Sequence, residues 1–458
     1  MKLAPYSRYS QVGLPWLKQL PEGWELRRAK FVFDAIDIRS ETGEEEILTV
    51  SSSDGVVPRS QKNVTMFMAE SYVGHKLCWA GDLVINSLWA WAKGLGFARQ
   101  HGLVSSAYGV YRLKKPYQAY ENFLHYALRS MAYDWEFRVR SKGIWTSRLQ
   151  LTDDSFFNIP IILPPPDEQQ KIVNFIQQQD RRIRWFIRNK RRLIELLRER
   201  RRGVCSKATG KGVNSEAPMI QSDFPWIGEV PAHWKITRVK NEFLCLNNKR
   251  VPLSATVRGE MTSRNYDYYG ASGVIDKVDD YLFDDELLLV AEDGANLVLR
   301  NLPLAIIAKG KFWVNNHAHI LKPKDGNLEY LALVLERLNY LPWITGAAQP
   351  KLTKDRLLAI PIALPDSREQ MLIMDSIKGE LEPLDASISQ ANSELKLMGE
   401  YRSRLIADSV TGKIDLRSVS LEAAADEIEE DLTEISENGF EDMPEDEAEL
   451  EEETAYAN

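Results

Sequence analysis

Apolar positions along the chain fall into two kinds of stretch. Short runs bounded by glycine and turn residues predict strands at residues 82–86 and 104–113, and again near 287–291 and 313–321. Apolar residues at helical spacing predict helices over 120–131, through Phe123, Leu124, Ala127, Leu128 and Met131, and over 328–338. Two longer stretches differ from everything around them. Residues 167–207 hold no proline and one glycine, Gly203, with apolar residues at Ile172, Ile176, Ile183, Ile187, Leu193 and Leu197 and with Gln179 and Lys190 filling two seam positions. The second stretch carries Ile377, Leu381, Leu384, Ile388, Ala391, Leu395, Met398 and Leu405. Spacings alternating between three and four are a coiled-coil period, and about 40 residues rising ~1.5 Å each make a rod of roughly 60 Å. Both stretches follow a proline brake (Pro164-Pro165-Pro166 and Pro365) and carry acidic residues in the first turn, where the helix dipole favours them. Pro383 is expected to interrupt and kink the second helix. A helix with one apolar seam needs a partner. The matching lengths and starts make each helix the expected partner of the other; packing on its own globular half, or dimerisation, is the alternative.

The chain repeats itself. Pro15-Trp16, Pro21, Trp24, Arg28 and Lys30 recur as Pro225-Trp226, Pro231, Trp234, Arg238 and Lys240. Ile159-Pro160-Ile161, Leu163-Pro164 and Glu168-Gln169 recur as Ile360-Pro361-Ile362, Leu364-Pro365 and Glu369-Gln370, and Thr209-Gly210-Lys211 returns as Thr411-Gly412-Lys413. Three blocks in the same order make a tandem duplication of about 200 residues, too long for a solenoid repeat and long enough for a domain plus a helix.

Composition changes this picture only when it is mapped. Across 458 residues, 44% hydrophobic and 27% charged side chains are ordinary for a globular protein. The net charge of −8 argues against a polyanionic partner, but residues 418–458 hold 17 acidic residues and no Lys or Arg, so residues 1–417 carry +9. The body is basic and the acidity sits in a tail expected to be disordered, which returns nucleic acid as a candidate partner. Cys78, Cys205 and Cys245 are too scattered for a disulfide framework or a zinc cluster. No apolar run approaches a membrane span, and Pro5, Arg8, Pro15 and Lys18 break the N-terminus, so a cytoplasmic location with no membrane partner is expected.

A search for catalytic motifs finds none. The prolines at 164–166 lead into Asp167 with no aromatic residue, unlike the tetrapeptide of an adenine methyltransferase. Gly94-x-Gly96 runs into Arg99 rather than a third glycine, and Gly210-Lys211 and Gly412-Lys413 lack the rest of a phosphate loop. Pro365-Asp366 with Glu394-x-Lys396 imitates a nuclease motif but falls on or beside a long helix. His317 and His319 alternate as on one strand face, without a third metal ligand at recognisable spacing, and no metal site is expected. Basic, amide and aromatic residues carry more signal. Between 167 and 202 the first long helix has 12 basic residues against 5 acidic, which suits either a solvated face or a phosphate backbone or acidic partner surface nearby. Candidate DNA-contacting residues in loops are Arg59, Lys62, Asn63, Trp89, Lys93, Arg148, Tyr268, Tyr269, Asn296, Arg300, Asn315, Asn316, His317, Gln349 and Lys351, because Arg and Lys read guanine edges and Asn and Gln read adenine edges.

These features together resemble the DNA-specificity subunit of a type I restriction–modification system. The resemblance spans residues 13–413 and rests on the duplicated Pro-Trp and Glu-Gln blocks with Gly81-Asp82-Leu83-Val84-Ile85, Ser105-Ser106-Ala107-Tyr108, Gly294-Ala295-Asn296, Trp313-Val314-Asn315-Asn316-His317 and Gln349-Pro350-Lys351-Leu352. It implies an α+β fold of two related globular α/β target-recognition domains, held apart by two long antiparallel coiled-coil helices. The corresponding boundaries are 1–165 for the first recognition domain, 166–208 for the first long helix, 209–224 for a linker, 225–365 for the second recognition domain, 366–413 for the second long helix and 414–458 for the acidic tail. It further implies that each domain reads half of a bipartite, asymmetric site in double-stranded DNA, and that the chain is not an enzyme and binds no cofactor. Adenine-N6 methylation from S-adenosylmethionine would fall to two methyltransferase subunits, and restriction to two translocase–nuclease subunits using ATP and Mg. The competing readings are a coiled-coil scaffold without sequence recognition and a self-sufficient DNA-modifying enzyme.

Overall fold

The computed structural model describes residues 4–52, 54–62, 71–114, 120–143, 149–346 and 349–419. They form two compact units, one of Met1–Asn189 with Glu394–Asn458, the other of Lys190–Ser393. Each unit holds one globular part and a segment of both long helices, which run over Pro166–Lys211 and Ser367–Val410.

In the first unit a four-stranded antiparallel sheet runs in the order Phe33–Ala35, Gly109–Leu113, Leu83–Ile85, Leu95–Phe97. The expected strand over 104–113 is in fact two, Gly102–Val104 and Gly109–Leu113, because Ser105–Tyr108 closes a turn with the Tyr108 N–H on the Ser105 carbonyl. The second unit repeats this order with Phe243–Cys245, Ala318–Pro323, Phe283–Ala291 and Ala305–Val314, and adds Tyr266–Tyr269 and Val274–Val278 beyond the last strand. Here too the strand expected over 313–321 is split, by the turn at Asn315–His317. Glu25–Arg28 pairs with Pro160–Leu163 in one unit, and Lys235–Arg238 with Pro361–Leu364 in the other.

The duplicated motifs are the joints between globular part and helix. The Trp24 indole donates to Glu168 at 3.0 Å, and the Trp234 indole to Glu369 at 3.2 Å. The neighbouring glutamines each accept from the backbone N–H ahead of a helix (Tyr120 for Gln169, Asn327 for Gln370) and donate to the proline carbonyl before their own helix. Gly412 (φ +71°) leaves room for nothing larger beside Pro21 and Trp24; the matching left-handed glycine against Trp234 is Gly212, two residues beyond the Gly210 of the repeated tripeptide.

Within each unit the two helix segments run antiparallel. In the first, buried Asp180 accepts from Arg402 Nε and Nη2 at 2.5 and 3.0 Å, while Lys171, earlier on its helix, reaches the carbonyl of the later residue Arg417. In the second, Arg201 meets Asp385 at 2.7 Å, and Gly212, which follows Arg201, lies beside Glu369, which precedes Asp385. Ile172, Ile176, Ile183, Leu384 and Leu405 are buried; Ile187, Leu197, Leu381, Ile388, Leu395 and Met398 are half-buried. Leu193 is a correction: it is 40% exposed, and Ile194, 5% exposed, takes the seam position instead. The heptad steps four residues on from Lys190, not three. The second helix is also uninterrupted at Pro383; that residue is exposed, which leaves the carbonyl it fails to bond open to water.

Candidate nucleic-acid interface

Three loops converge in each unit, and they are the same three. In the first unit the segment after Leu83–Ile85 meets the Ser105–Tyr108 turn: the Asn86 amide donates to the Tyr108 hydroxyl at 3.3 Å and the Ser87 hydroxyl to the Ala107 carbonyl at 2.9 Å. The third loop, between the bridge partners Lys142 and Gln150, is tied in where the Leu151 N–H meets the Ser87 carbonyl. In the second unit the segment after Phe283–Ala291 meets the Asn315–His317 turn through the Glu292 N–H on the His317 carbonyl, and the loop between Thr345 and Lys351 joins through the Leu352 N–H on the Glu292 carbonyl.

Different side chains line the two clusters. In the first, the one-turn helix Ala90–Ala92 anchors itself through buried Ala90 and leaves Trp89 42% exposed. Lys93 ends it in the left-handed region (φ +63°) and pairs with Asp134 at 3.6 Å. Arg59 opens another short turn, close enough for its charge to oppose the upward push of burial on the Tyr108 hydroxyl. Lys62 follows, paired with Asp54 at 2.7 Å. Asn63 and Arg148 lie outside the described residues.

In the second cluster, Asn316, His317 and Lys351 come together, with Gln349 two residues before Lys351 on the same loop, and all four are exposed. Asp293 holds His317 Nδ1 at 2.8 Å and bridges to Lys351 through the backbone. Beneath them lies Glu292, buried, with Lys351 at 3.3 Å, His319 at 3.5 Å and the Arg250 guanidinium in contact. Burial pushes the Glu292 carboxyl up, but Arg250, His319 and Lys351 together hold it below its ordinary value. Arg250 also donates to the Asn316 and Ala318 carbonyls, at 3.0 Å each, and so fixes the turn.

Several candidates hold the local structure. Tyr268 is 1% exposed, its hydroxyl accepting from the Leu253 N–H, and a residue so placed cannot present an edge to a duplex. Tyr269 packs edge-on against Phe312 while its carbonyl takes the Asn315 N–H. Asn315 is buried and accepts from the His317 N–H, which shapes the turn. Asn296 clamps its own loop through both polar groups of Leu302. Arg300 caps the C-terminus of the helix Leu328–Arg337 by donating to the Leu338 carbonyl at 3.1 Å and to the Glu336 carbonyl. His317 and His319 do not share an environment, because His317 sits in the turn while His319 is fully buried, with Nε2 2.7 Å from the Leu352 carbonyl. Burial holds its pKa down.

Sequence reasoning missed the supports. Arg129, drawn inside so far that burial pulls its pKa down to about 10, donates to the Lys93 carbonyl at 3.3 Å, to the Ser51 carbonyl at 3.2 Å and to Leu95 at 2.5 Å, which steadies the Trp89–Lys93 loop. Asp82, fully buried, takes Arg112 through both oxygens at 2.7 and 2.8 Å. Asn247 bonds His319 Nδ1 at 2.8 Å. Each works through a partner distant in sequence; Asp82 alone falls within a motif that carries the resemblance, and nothing there marks Arg112 as its partner. Among the described residues no group of three His, Cys, Asp or Glu could hold a metal, and no helix is long and apolar enough to cross a membrane.

The family model described as "Type I restriction modification DNA specificity domain" matches residues 94–196 and 231–396, more than half of the chain. A chain of Haemophilus influenzae named as a type I restriction enzyme specificity subunit is 38% identical over 122 residues, 26% of this chain and 30% of that one. The type I restriction enzyme MjaVIII specificity subunit of Methanocaldococcus jannaschii is 24% identical over 287 residues, 58% of this chain and 64% of that one. Both matches thus span less than two thirds of the relative. A solved chain from the type I R-M system, studied there for complex assembly and conformational transition, superposes with a TM-score of 0.59 at 16% identity, over 86% of this chain and 99% of that one, and shares its fold. With the family match falling on both copies of the duplication, the chain belongs to the type I restriction modification DNA specificity family.

Proposed function

We propose that this chain reads DNA for a type I restriction–modification system, each loop cluster contacting one half of a bipartite, asymmetric site, and that it contributes no catalytic residue and binds no cofactor itself. Two partner methyltransferase subunits would flip the target adenine and transfer the methyl group from S-adenosylmethionine to N6. Two translocase–nuclease subunits using ATP and Mg would carry out restriction.

The observation carrying this reading is one loop architecture bearing two chemistries. Trp89, Lys93, Arg59 and Lys62 mark one cluster; Asn316, His317, Gln349 and Lys351 mark the other. Asn and Gln pair with adenine edges and Lys with guanine edges, so two clusters so different would select different half-sites and a non-palindromic target. The antiparallel helix segments support the reading of a built-in spacer: 46 residues rising ~1.5 Å each give roughly 69 Å, enough for half-sites about one helical turn, roughly 34–36 Å, apart.

Exchange of residues 225–358 for the matching part of another specificity chain tests this. The methylated site should change in one half and keep the other. A change in both halves, or in neither, contradicts independent readers.

A further inference from the structure

We propose that the acidic segment 420–458 folds back onto the arginine-bearing face of the first long helix within the first unit, and competes there with any other polyanion. Charge complementarity is the first argument. Residues 418–458 hold 17 acidic side chains and no Lys or Arg, whereas Arg181, Arg182, Arg184 and Arg188 crowd two turns of helix, all exposed. Arg184 shares Asp180 at 3.5 Å, and Asp180 is already bound by Arg402. Among the described residues Arg181, Arg182 and Arg188 have no carboxylate partner. Four guanidinium groups with one shared, buried carboxylate leave a surplus that attracts an anionic chain.

The point of departure is the second argument. Arg417 lies 4.7 Å over the Tyr6 ring and its carbonyl accepts from Lys171, which fixes the chain beside the start of the helix just before the acidic run begins. From Lys171 to Arg181 is about 15 Å along the helix and to Arg188 about 25 Å. A segment of about 40 residues, spanning at most ~3.3–3.6 Å each, covers that distance several times over. Trp185, 38% exposed between these arginines, adds an apolar spot against which Ile428, Leu432 or Ile435 of the acidic run can settle.

The docking claim needs no DNA and stands or falls apart from the proposed function; only the competition arm draws on it. A dye is placed in the full chain on Ser436→Cys in a Cys245→Ser background, and its fluorescence anisotropy is followed from about 0.05 M to about 0.5 M salt, where exposed charges become strongly screened. The anisotropy should fall about twofold. In the triple variant Arg181→Gln, Arg182→Gln, Arg188→Gln it should start at the low value, with an unfolding midpoint matching the parent. Should that variant unfold, amide replacement of the acidic residues between 422 and 437 leaves the helix intact and should give the same low value. An anisotropy unmoved by salt overturns the docking, and so does a high value that survives loss of the arginines. In the parent, a non-cognate duplex should release the label; duplex binding that leaves the anisotropy unchanged overturns the competition.

Discussion

Truncating Ile194 and Leu193 in turn should separate two adjacent residues by about 2.5 kcal/mol. Ile194 is 5% exposed in the seam and Leu193 is 40% exposed beside it. Ile194→Ala removes three buried carbons, worth about 0.8 kcal/mol each, plus a cavity term, for a total of about 3 kcal/mol. Leu193→Ala removes atoms that keep much of their contact with water, and surface changes of this kind stay within about 0.5 kcal/mol. For a unit of roughly 200 residues, each kcal/mol shifts the midpoint by about 2–4 °C. Calorimetry should therefore show a drop of about 6–12 °C for Ile194→Ala and less than about 2 °C for Leu193→Ala. Equal drops, or a larger one for Leu193→Ala, would refute the heptad register described above.

Four further expectations follow from the loop clusters and the helices. Arg300→Ala should lower the unfolding midpoint, since it strips a helix C-cap, and leave the preferred half-site as it was. Lys351→Ala should weaken binding to the cognate duplex about tenfold with less effect on the midpoint; sequencing methylated sites and melting both variants separates the two roles. Glu292, held below its ordinary carboxyl value in the folded state, contributes stability above that value and loses it as pH falls through the folded one. Glu292→Gln should accordingly flatten the acid limb of a stability–pH curve, and an unchanged limb would contradict its pairing with Arg250. Insertion of residues in seam register into both long helices should lengthen the unread spacer in the methylated site and leave both half-sites intact.

The duplication was legible because its residues do the same physical work twice. Trp24 and Trp234 bond a helix-start glutamate, and Gln169 and Gln370 bond the backbone on either side, so identity and spacing were both held. The seam was legible in period but slipped by one residue where Lys190 replaces an apolar side chain, since either Leu193 or Ile194 completes a three–four step. Strand limits failed where polar turns sit between apolar runs, at Ser105–Tyr108 and Asn315–His317. The clusters were harder to read. Asn316, His317, Gln349 and Lys351 are exposed loop residues, but so by composition are Arg300 and Asn296, and only the fold shows that these spend their donors on Leu338 and Leu302. Arg129 and Arg250 carried no signal because the carbonyls they hold are contributed by remote loops.

Mapping N6-methyladenine across DNA from cells that contain the partner subunits, with and without this chain, bears most directly on the claim of two unlike readers and outsourced chemistry. The account predicts a single bipartite, non-palindromic motif, methylated only when the chain is present. A contiguous palindromic motif, or methylation that persists in the chain's absence, would contradict it.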